Sequence, residues 1–303
     1  MAITLRDRYR GSLLGLACGD AVGTTVEFLR RGCFPHVTGM VGGGPFSLAP
    51  GQWTDDTSMA LCLGESLLYR SGFDARDQMN RYCNWKNHGY FSSTGECFDV
   101  GGTVRGSLLR FESNGDPIAG PTDPSTAGNG SLMRLAPVVL YFFPDIDKVH
   151  HFSAESSRTT HGAPEAVECC ELLAQLLCNA LRGEEKSKVM SLNELSLHEP
   201  KVAAIALGSY AEKSRASIVG SGYAVASLEA AIWCFHNTAR FREAILEAAN
   251  LGDDADTTAA IVGQMAGAFY GVEGIPGDWL AKLYLREEIE GMADRLWEVA
   301  TKQ

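Results

Sequence analysis

The chain has 303 residues, 45% of them hydrophobic and 21% charged, with a formal net charge of −11, which is enough apolar material for a large buried core. No Lys/Arg run is longer than the pair Arg30-Arg31, which excludes the basic stripe a nucleic-acid surface needs to offset phosphate charge. No stretch approaches the roughly 18 uninterrupted apolar residues of a membrane span, and the opening Met1-Ala2-Ile3-Thr4-Leu5-Arg6-Asp7-Arg8-Tyr9-Arg10 lacks a signal peptide's apolar region, so a soluble cytoplasmic protein is expected.

The first predicted element is a helix over 8–26, carrying Gly11, Gly15, Gly19 and Gly23 at four-residue spacing. Gly costs roughly 1 kcal/mol per helix position against Ala, so the row predicts a backbone brought close to a neighbouring helix; its length, Arg10 and Asp20 exclude a membrane dimer. A Gly/Pro loop at 39–52 leads to helices over 57–71, 74–88 and 100–113. A second such loop, 114–130, precedes a helix over 132–143, whose Val138-Val139-Leu140-Tyr141-Phe142-Phe143 is the one run that could pass for a strand. Long Gly/Pro loops inside a compact chain are commonly functional, and each of these runs into a candidate site segment.

Helices follow over 145–157 and 163–182, then a polar surface excursion over 183–201, then helices over 200–213, 222–236 and 239–250. The helix over 257–271 repeats the glycine device with Gly263, Gly267 and Gly271, and the last helix covers 278–301. Apolar residues recur at three and four in most of these segments and few segments alternate, so the fold reads as all-α, larger than a simple bundle. No composition shift marks a boundary, so one domain over 1–303 is expected. The nine cysteines form no Cys-x-x-Cys pair, and several sit in apolar helical runs such as Leu61-Cys62-Leu63; buried reduced thiols are expected.

Two acidic clusters some 200 residues apart, Thr54-Asp55-Asp56-Thr57 and Asp253-Asp254-Ala255-Asp256-Thr257-Thr258, carry most of the chemistry. Asp or Thr before a helix is ordinarily an N-cap, suited to the positive end of the dipole. A cap uses one residue, whereas each cluster offers three oxygen-bearing side chains within one turn, and negative charge stacked so tightly costs stability unless a cation neutralises it. Carboxylate and hydroxyl oxygens are the hard ligands of Mg²⁺ and Mn²⁺. The two clusters therefore read as halves of one site, with two ions sharing a bridging carboxylate.

Gly128-Asn129-Gly130-Ser131 before Leu132-Met133-Arg134 places backbone amides at a helix start, an arrangement that fits a phosphate, although Asn-Gly there is also ordinary turn chemistry. His161 falls in a connection and is either a capping residue or a ligand contact. Asp99 and Glu27 are lone acids, each a cap or surface charge by default, or else the acid or base of the site. No Ser/His/Asp order, phosphate-binding P-loop or dinucleotide fingerprint is present, which leaves metal-assisted hydrolysis.

These motifs resemble those of the ADP-ribosylglycohydrolase family. Gly19-Asp20-Ala21-Val22-Gly23 with Glu27, Gly51-Gln52-Trp53-Thr54-Asp55-Asp56-Thr57, Asp99-Val100-Gly101, Gly128 to Ser131 with Met133-Arg134, Thr160-His161, Gly222-Tyr223, and Gly252 with Asp254-Ala255-Asp256-Thr257 stand in the family's order. The resemblance runs from Arg8 to about Leu283 and is weakest over 183–215. Within the family, the chain looks most like the bacterial enzymes that reactivate dinitrogenase reductase.

The resemblance implies an all-helical fold, a binuclear Mg²⁺ or Mn²⁺ centre and removal of ADP-ribose from a modified side chain, most often arginine. Position by position, it assigns Thr54, Asp55 and Asp56 to one ion and Asp254, Asp256 and Thr257 to the other, with Asp256 bridging and joining the catalytic set. Glu27 matches an acid on a mobile loop, and Asp99 a carboxylate facing the target's guanidinium. Gly128, Asn129, Gly130 and Ser131 match the diphosphate-holding amides, while Met133, His161 and Tyr223 fall in the segments lining the ADP-ribose cleft. An ADP-ribosylated protein is then the substrate and ADP-ribose the product. One departure stands out: the family's second Gly before the last acidic motif is Asp253 here, which adds a carboxylate and removes a residue free to take positive φ. It keeps open a non-catalytic ADP-ribose-binding member; a metal phosphohydrolase that cleaves the diphosphate is the other alternative.

Overall fold

Thr4 starts the first helix by a capping box: its hydroxyl accepts from the Asp7 amide at 3.2 Å, and Asp7 accepts from the Thr4 amide at 3.0 Å. The computed structural model describes residues 2–192 and 195–302, and among these every named element is helical. In chain order the helices are α1 (Leu5–Gly23), α2 (Asp55–Arg70), α3 (Ala75–His88), α4 (Gly102–Asn114), α5 (Ala136–Phe142), α6 (Ile146–Arg158), α7 (Pro164–Leu181), α8 (Lys186–Val189), α9 (Pro200–Ala206), α10 (Ala224–His236), α11 (Phe241–Ala249), α12 (Ala255–Tyr270), α13 (Gly277–Leu280) and α14 (Arg286–Ala300). The all-α expectation holds.

The glycine rows of α1 and α12 face each other along most of their length. A Cβ on Gly15 would come within 2.3 Å of the Gly263 carbonyl oxygen, and one on Gly267 within 1.9 Å of the Gly11 carbonyl oxygen. No side chain fits between backbones so close. The pair forms the buried centre of the molecule, with α11, α14, α10 and α7 packed around it, and it leaves Asp20 near the end of α1 beside the start of α12.

Three helix expectations change. The helix expected over 132–143 begins only at Ala136, because residues 129–135 turn, with the Leu132 and Met133 amides donating to the Asn129 carbonyl. Gln264 of α12 takes over the unpaired groups at that start: its side-chain oxygen accepts from the Ala136 amide at 2.8 Å, and its amide donates to the Leu132 and Met133 carbonyls at 3.1 and 2.9 Å. Residues 138–142 are helix and not strand. The helix expected over 200–213 ends at Ala206, and Gly208 turns the chain at φ +88°.

The helix expected over 278–301 is broken into α13 and α14. The segment between them lies against the loop before α2, where the Tyr284 amide donates to the Gly51 carbonyl at 3.0 Å, and Leu285 takes φ +49° to restart the helix. Of the excursion expected at 183–201, residues 193 and 194 lie outside the described set. The remainder carries α8 and buries Val189 and Leu192, so it is tucked in more than its polarity suggests. Seven of the nine cysteines are buried as expected; Cys33 is exposed, Cys97 is half-buried, and all are free thiols.

Candidate metal centre and ligand cleft

The start of α2 has no side-chain cap of its own. Asp20, reaching across from α1, supplies it: Oδ1 accepts from the Thr54 amide and hydroxyl at 2.8 Å each, and Oδ2 accepts from the Thr57 amide at 3.0 Å and its hydroxyl at 2.7 Å. A capping role that sequence usually assigns to a neighbouring residue is thus filled from 34 positions away. With Asp20 as the cap, Asp55 and Asp56 are free for other work.

Asp20, Asp56 and Asp256 bring carboxylate oxygens within 4.8 Å of one another, and so do Glu27, Asp99 and Asp256. Asp256, at the first turn of α12, belongs to both groups. The Thr54 hydroxyl lies 2.8 Å from Asp20 Oδ1 and 3.2 Å from both Asp56 Oδ2 and Asp256 Oδ2. A hydroxyl has one proton, so two of these three approaches set lone pair against lone pair. Asp56 Oδ1 and Asp256 Oδ1 are buried without any hydrogen-bond partner among the described residues. Among the described residues, no Lys, Arg or His pairs with any carboxylate of the two groups, nor with Asp55 or Asp254. This oxygen-rich, uncompensated cluster fits a divalent metal site.

Burial, then mutual repulsion, pushes these acids toward their protonated forms. Asp55, Asp56 and Asp256 lie well above the usual carboxylate range, first from desolvation and then from neighbours such as Asp99, Asp20 and Asp254 respectively. Glu27 is raised by burial, then by Asp256 and Asp99. Asp99 is raised to about 7 by burial, then by Asp20 and Asp254. Asp20 and Asp254 are raised by burial against the opposing pull of their hydrogen bonds.

Above the acids lies a cleft of about 780 Å³, a volume suited to a nucleotide-sized ligand. Glu27, Asp55, Asp99, Asp254, Asp256 and Thr257 line its floor and one wall; Gly128, Asn129, Gly130, Met133 and His161 line another. Thr54 and Asp56 lie buried outside that lining, with Asp56 in the first carboxylate group and Thr54 hydrogen-bonded to it. Asn129 ties the two walls together, donating to Asp254 Oδ2 at 2.5 Å.

Two of the expected ligand residues are turned elsewhere. Ser131 is buried, its hydroxyl bonded to Ser157 at 2.8 Å. Tyr223 pairs its backbone with Gly128, while its hydroxyl donates to Glu165 and accepts from Lys201. Neither side chain lines the cleft, while the Ser131 amide, the group expected to meet the diphosphate, donates to no other group among the described residues. Gly128 and Gly130 serve close approach: a Cβ on either would come within 3.3 and 2.8 Å of the His161 ring, and neither has positive φ. Asp253 does take φ +55°, a conformation Asp tolerates better than most residues. Its backbone clasps the loop carrying Glu27, with the Phe28 amide donating to the Asp253 carbonyl and the Asp253 amide to the Leu29 carbonyl, each at 2.8 Å. The substitution for glycine therefore keeps the turn.

Sequence reasoning assigned no role to Asp20, Gln264 or the pair Arg134 and Thr160. The available signal for Asp20 was that it is the one acid in the helix expected over 8–26, directly after a residue of the glycine row.

Over residues 1–303 the chain matches the family model described as ADP-ribosylglycohydrolase. It is 47% identical over 294 residues to "ADP-ribosylarginine hydrolase Tri1" of Pseudomonas putida (strain GB-1), covering 97% of this chain and 79% of that protein. A protein of the same name from Serratia proteamaculans (strain 568) is 44% identical over 98% of this chain and 81% of its own length. "ADP-ribosyl-[dinitrogen reductase] glycohydrolase" of Rhodospirillum rubrum is more distant, 32% identical over 95% of this chain and 94% of its own. A solved structure titled "ADP-ribosylglycohydrolase-related protein complex" superposes with a TM-score of 0.88 at 46% identity, covering 98% of this chain and 99% of that one.

Proposed function

The chain belongs to the ADP-ribosylglycohydrolase family, and from that premise we propose that it hydrolyses the N-glycosidic bond between ADP-ribose and arginine side chains of a modified protein. The observation that carries this reading is the near full-length identity of 47% and 44% to two ADP-ribosylarginine hydrolases, joined to a cleft in which one carboxylate, Asp256, belongs to two acidic groups.

Thr54, Asp55, Asp56, Asp254, Asp256 and Thr257 would hold two divalent cations, Mg²⁺ or Mn²⁺, with Asp20 fixing the Thr54 end. Such ions supply Lewis-acid polarisation and lower the pKa of a water so that it attacks near neutral pH. The residues of the chain do the rest. The Gly128 and Asn129 amides are taken by the Thr126 and Gly222 carbonyls, so the Gly130 and Ser131 amides are the ones left to meet the diphosphate, and Met133 and His161 complete that wall. The bond that breaks joins the anomeric carbon to a guanidine nitrogen, through a state in which the ribose gains positive charge. Asp99 faces the leaving guanidinium and stabilises it as it departs, and Glu27 sits beside it as the second acid.

The test is turnover of ADP-ribosyl-arginine with Mg²⁺ or Mn²⁺, with chelator and with Asp256→Ala as controls. Free ADP-ribose and arginine as products support the proposal. Release of AMP points to diphosphate cleavage, and no turnover with tight ADP-ribose binding points to a non-catalytic member.

A further inference from the structure

Arg134 is fully buried at the end of the Gly128–Arg134 segment, and no carboxylate pairs with it among the described residues. Its guanidinium lies 4.6 Å over the Tyr82 ring and donates from Nη2 to Thr160 Oγ1 at 2.7 Å, with longer approaches to the Ser156 carbonyl at 3.3 Å and the Thr159 hydroxyl at 3.4 Å. Arginine can only donate, so Thr160 Oγ1 must accept.

The Thr160 hydroxyl proton then has one destination among the described residues, His161 Nδ1, at 2.8 Å. Were Nδ1 the donor instead, the Thr160 proton would be left buried without an acceptor, at a cost of about 1–3 kcal/mol. Burial and the nearby Arg134 charge hold the imidazole neutral, and a neutral ring whose Nδ1 accepts carries its proton on Nε2. The His161 backbone is pinned as well: its amide donates to the Ser157 carbonyl at 2.7 Å, and its carbonyl accepts from the Ser157 hydroxyl at 2.8 Å. The ring lines the cleft between Gly128 and Gly130, which lack the Cβ atoms that would strike it.

We propose that Arg134 and Thr160 are positioning residues that lock His161 in its Nε2–H form, so that a neutral imidazole adds one directed hydrogen bond to the diphosphate held by the glycine wall. The identity of the ligand rests on the function proposed above; the tautomer does not. The chain uses a buried cation at one remove: the guanidinium never meets the anion, yet it dictates which ring nitrogen does.

The test has two arms. In the full-length wild-type protein, ¹⁵N signals of the His161 ring should show a bare Nδ1 and a protonated Nε2. Thr160→Val should weaken ADP-ribose binding about tenfold by calorimetry and raise KM for ADP-ribosyl-arginine by a similar factor, the size of one hydrogen bond to a charged group. The loss should fall on KM more than on kcat, and Thr160→Ser should restore both. An Nδ1–H tautomer overturns the proposal, and so does a Thr160→Val protein whose ADP-ribose affinity is unchanged. If no protein, wild type included, turns over ADP-ribosyl-arginine while Thr160→Val still loses ADP-ribose affinity and Thr160→Ser regains it, the relay stands and the proposed reaction is what fails.

Discussion

Gly15 of α1 and Gly263 of α12 meet backbone to backbone: a Cβ on Gly263 would lie 2.0 Å from the Gly15 carbonyl oxygen, and one on Gly15 would lie 2.3 Å from the Gly263 carbonyl oxygen. This contact sets the separation of the two helices and hence the distance between Asp20, one turn and a half further along α1, and Asp256 at the start of α12.

Ala at either glycine gains about 1 kcal/mol of helix propensity and forces a backbone shift in a close-packed interface, which costs about 1–3 kcal/mol and more where the neighbour is backbone. The clash wins. Gly15→Ala and Gly263→Ala should each lower the stability measured by urea unfolding and weaken cation binding at the far end of the helix pair. Wild-type stability in both variants would mean the helices are further apart than described.

Asp20→Ala removes four hydrogen bonds from the first turn of α2. With saturating Mg²⁺ present, so that the remaining carboxylates are neutralised, the lost cap should cost about 1–2 kcal/mol. Turnover should drop with it, because Thr54 and the Asp55 and Asp56 backbone lose their anchor. A variant as stable and as active as wild type would restrict Asp20 to a bystander.

Asp256→Asn should act in opposite directions with and without cations. In chelator it relieves repulsion in both carboxylate groups, and the midpoint of thermal unfolding should rise by about 2 °C or more. With Mn²⁺ or Mg²⁺ the wild type should gain stability through linkage, and the variant should gain almost none. A variant that responds to the ions as strongly as wild type removes Asp256 from the metal site.

The raised acids also predict a pH dependence. Asp99 moves from an ordinary 3.8 to about 7 in the folded chain, so the folded state holds its proton more tightly than the unfolded state. Stability from this group is fully present below about pH 4 and is lost as pH rises through about 7. Glu27, Asp55, Asp56 and Asp256 are displaced in the same direction. In chelator, thermal stability should therefore be higher near about pH 5 than near about pH 8, and divalent cations should restore it at the higher pH. A chelated protein that is more stable at the higher pH contradicts the crowded-acid description.

Much of this was legible in the chain itself. Helix periodicity, two rows of glycine at four-residue spacing and two crowded acidic clusters are local patterns, and local patterns survive in one dimension. They were enough to expect an all-α fold, a tight helix pair and a shared acidic site, and the order of the short motifs pointed to the family. What tertiary structure alone decided is who meets whom. Asp20 caps a helix 34 residues away, Gln264 completes the start of α5 from 128 positions on, and the loop at Gly51 breaks the final helix in two. The side chains of Tyr223 and Ser131 turn away from the cleft, while Arg134 speaks to it through Thr160. Periodicity reports which face of an element is buried but not what is buried against it, and a hydrogen bond between distant residues leaves no spacing in the sequence to read.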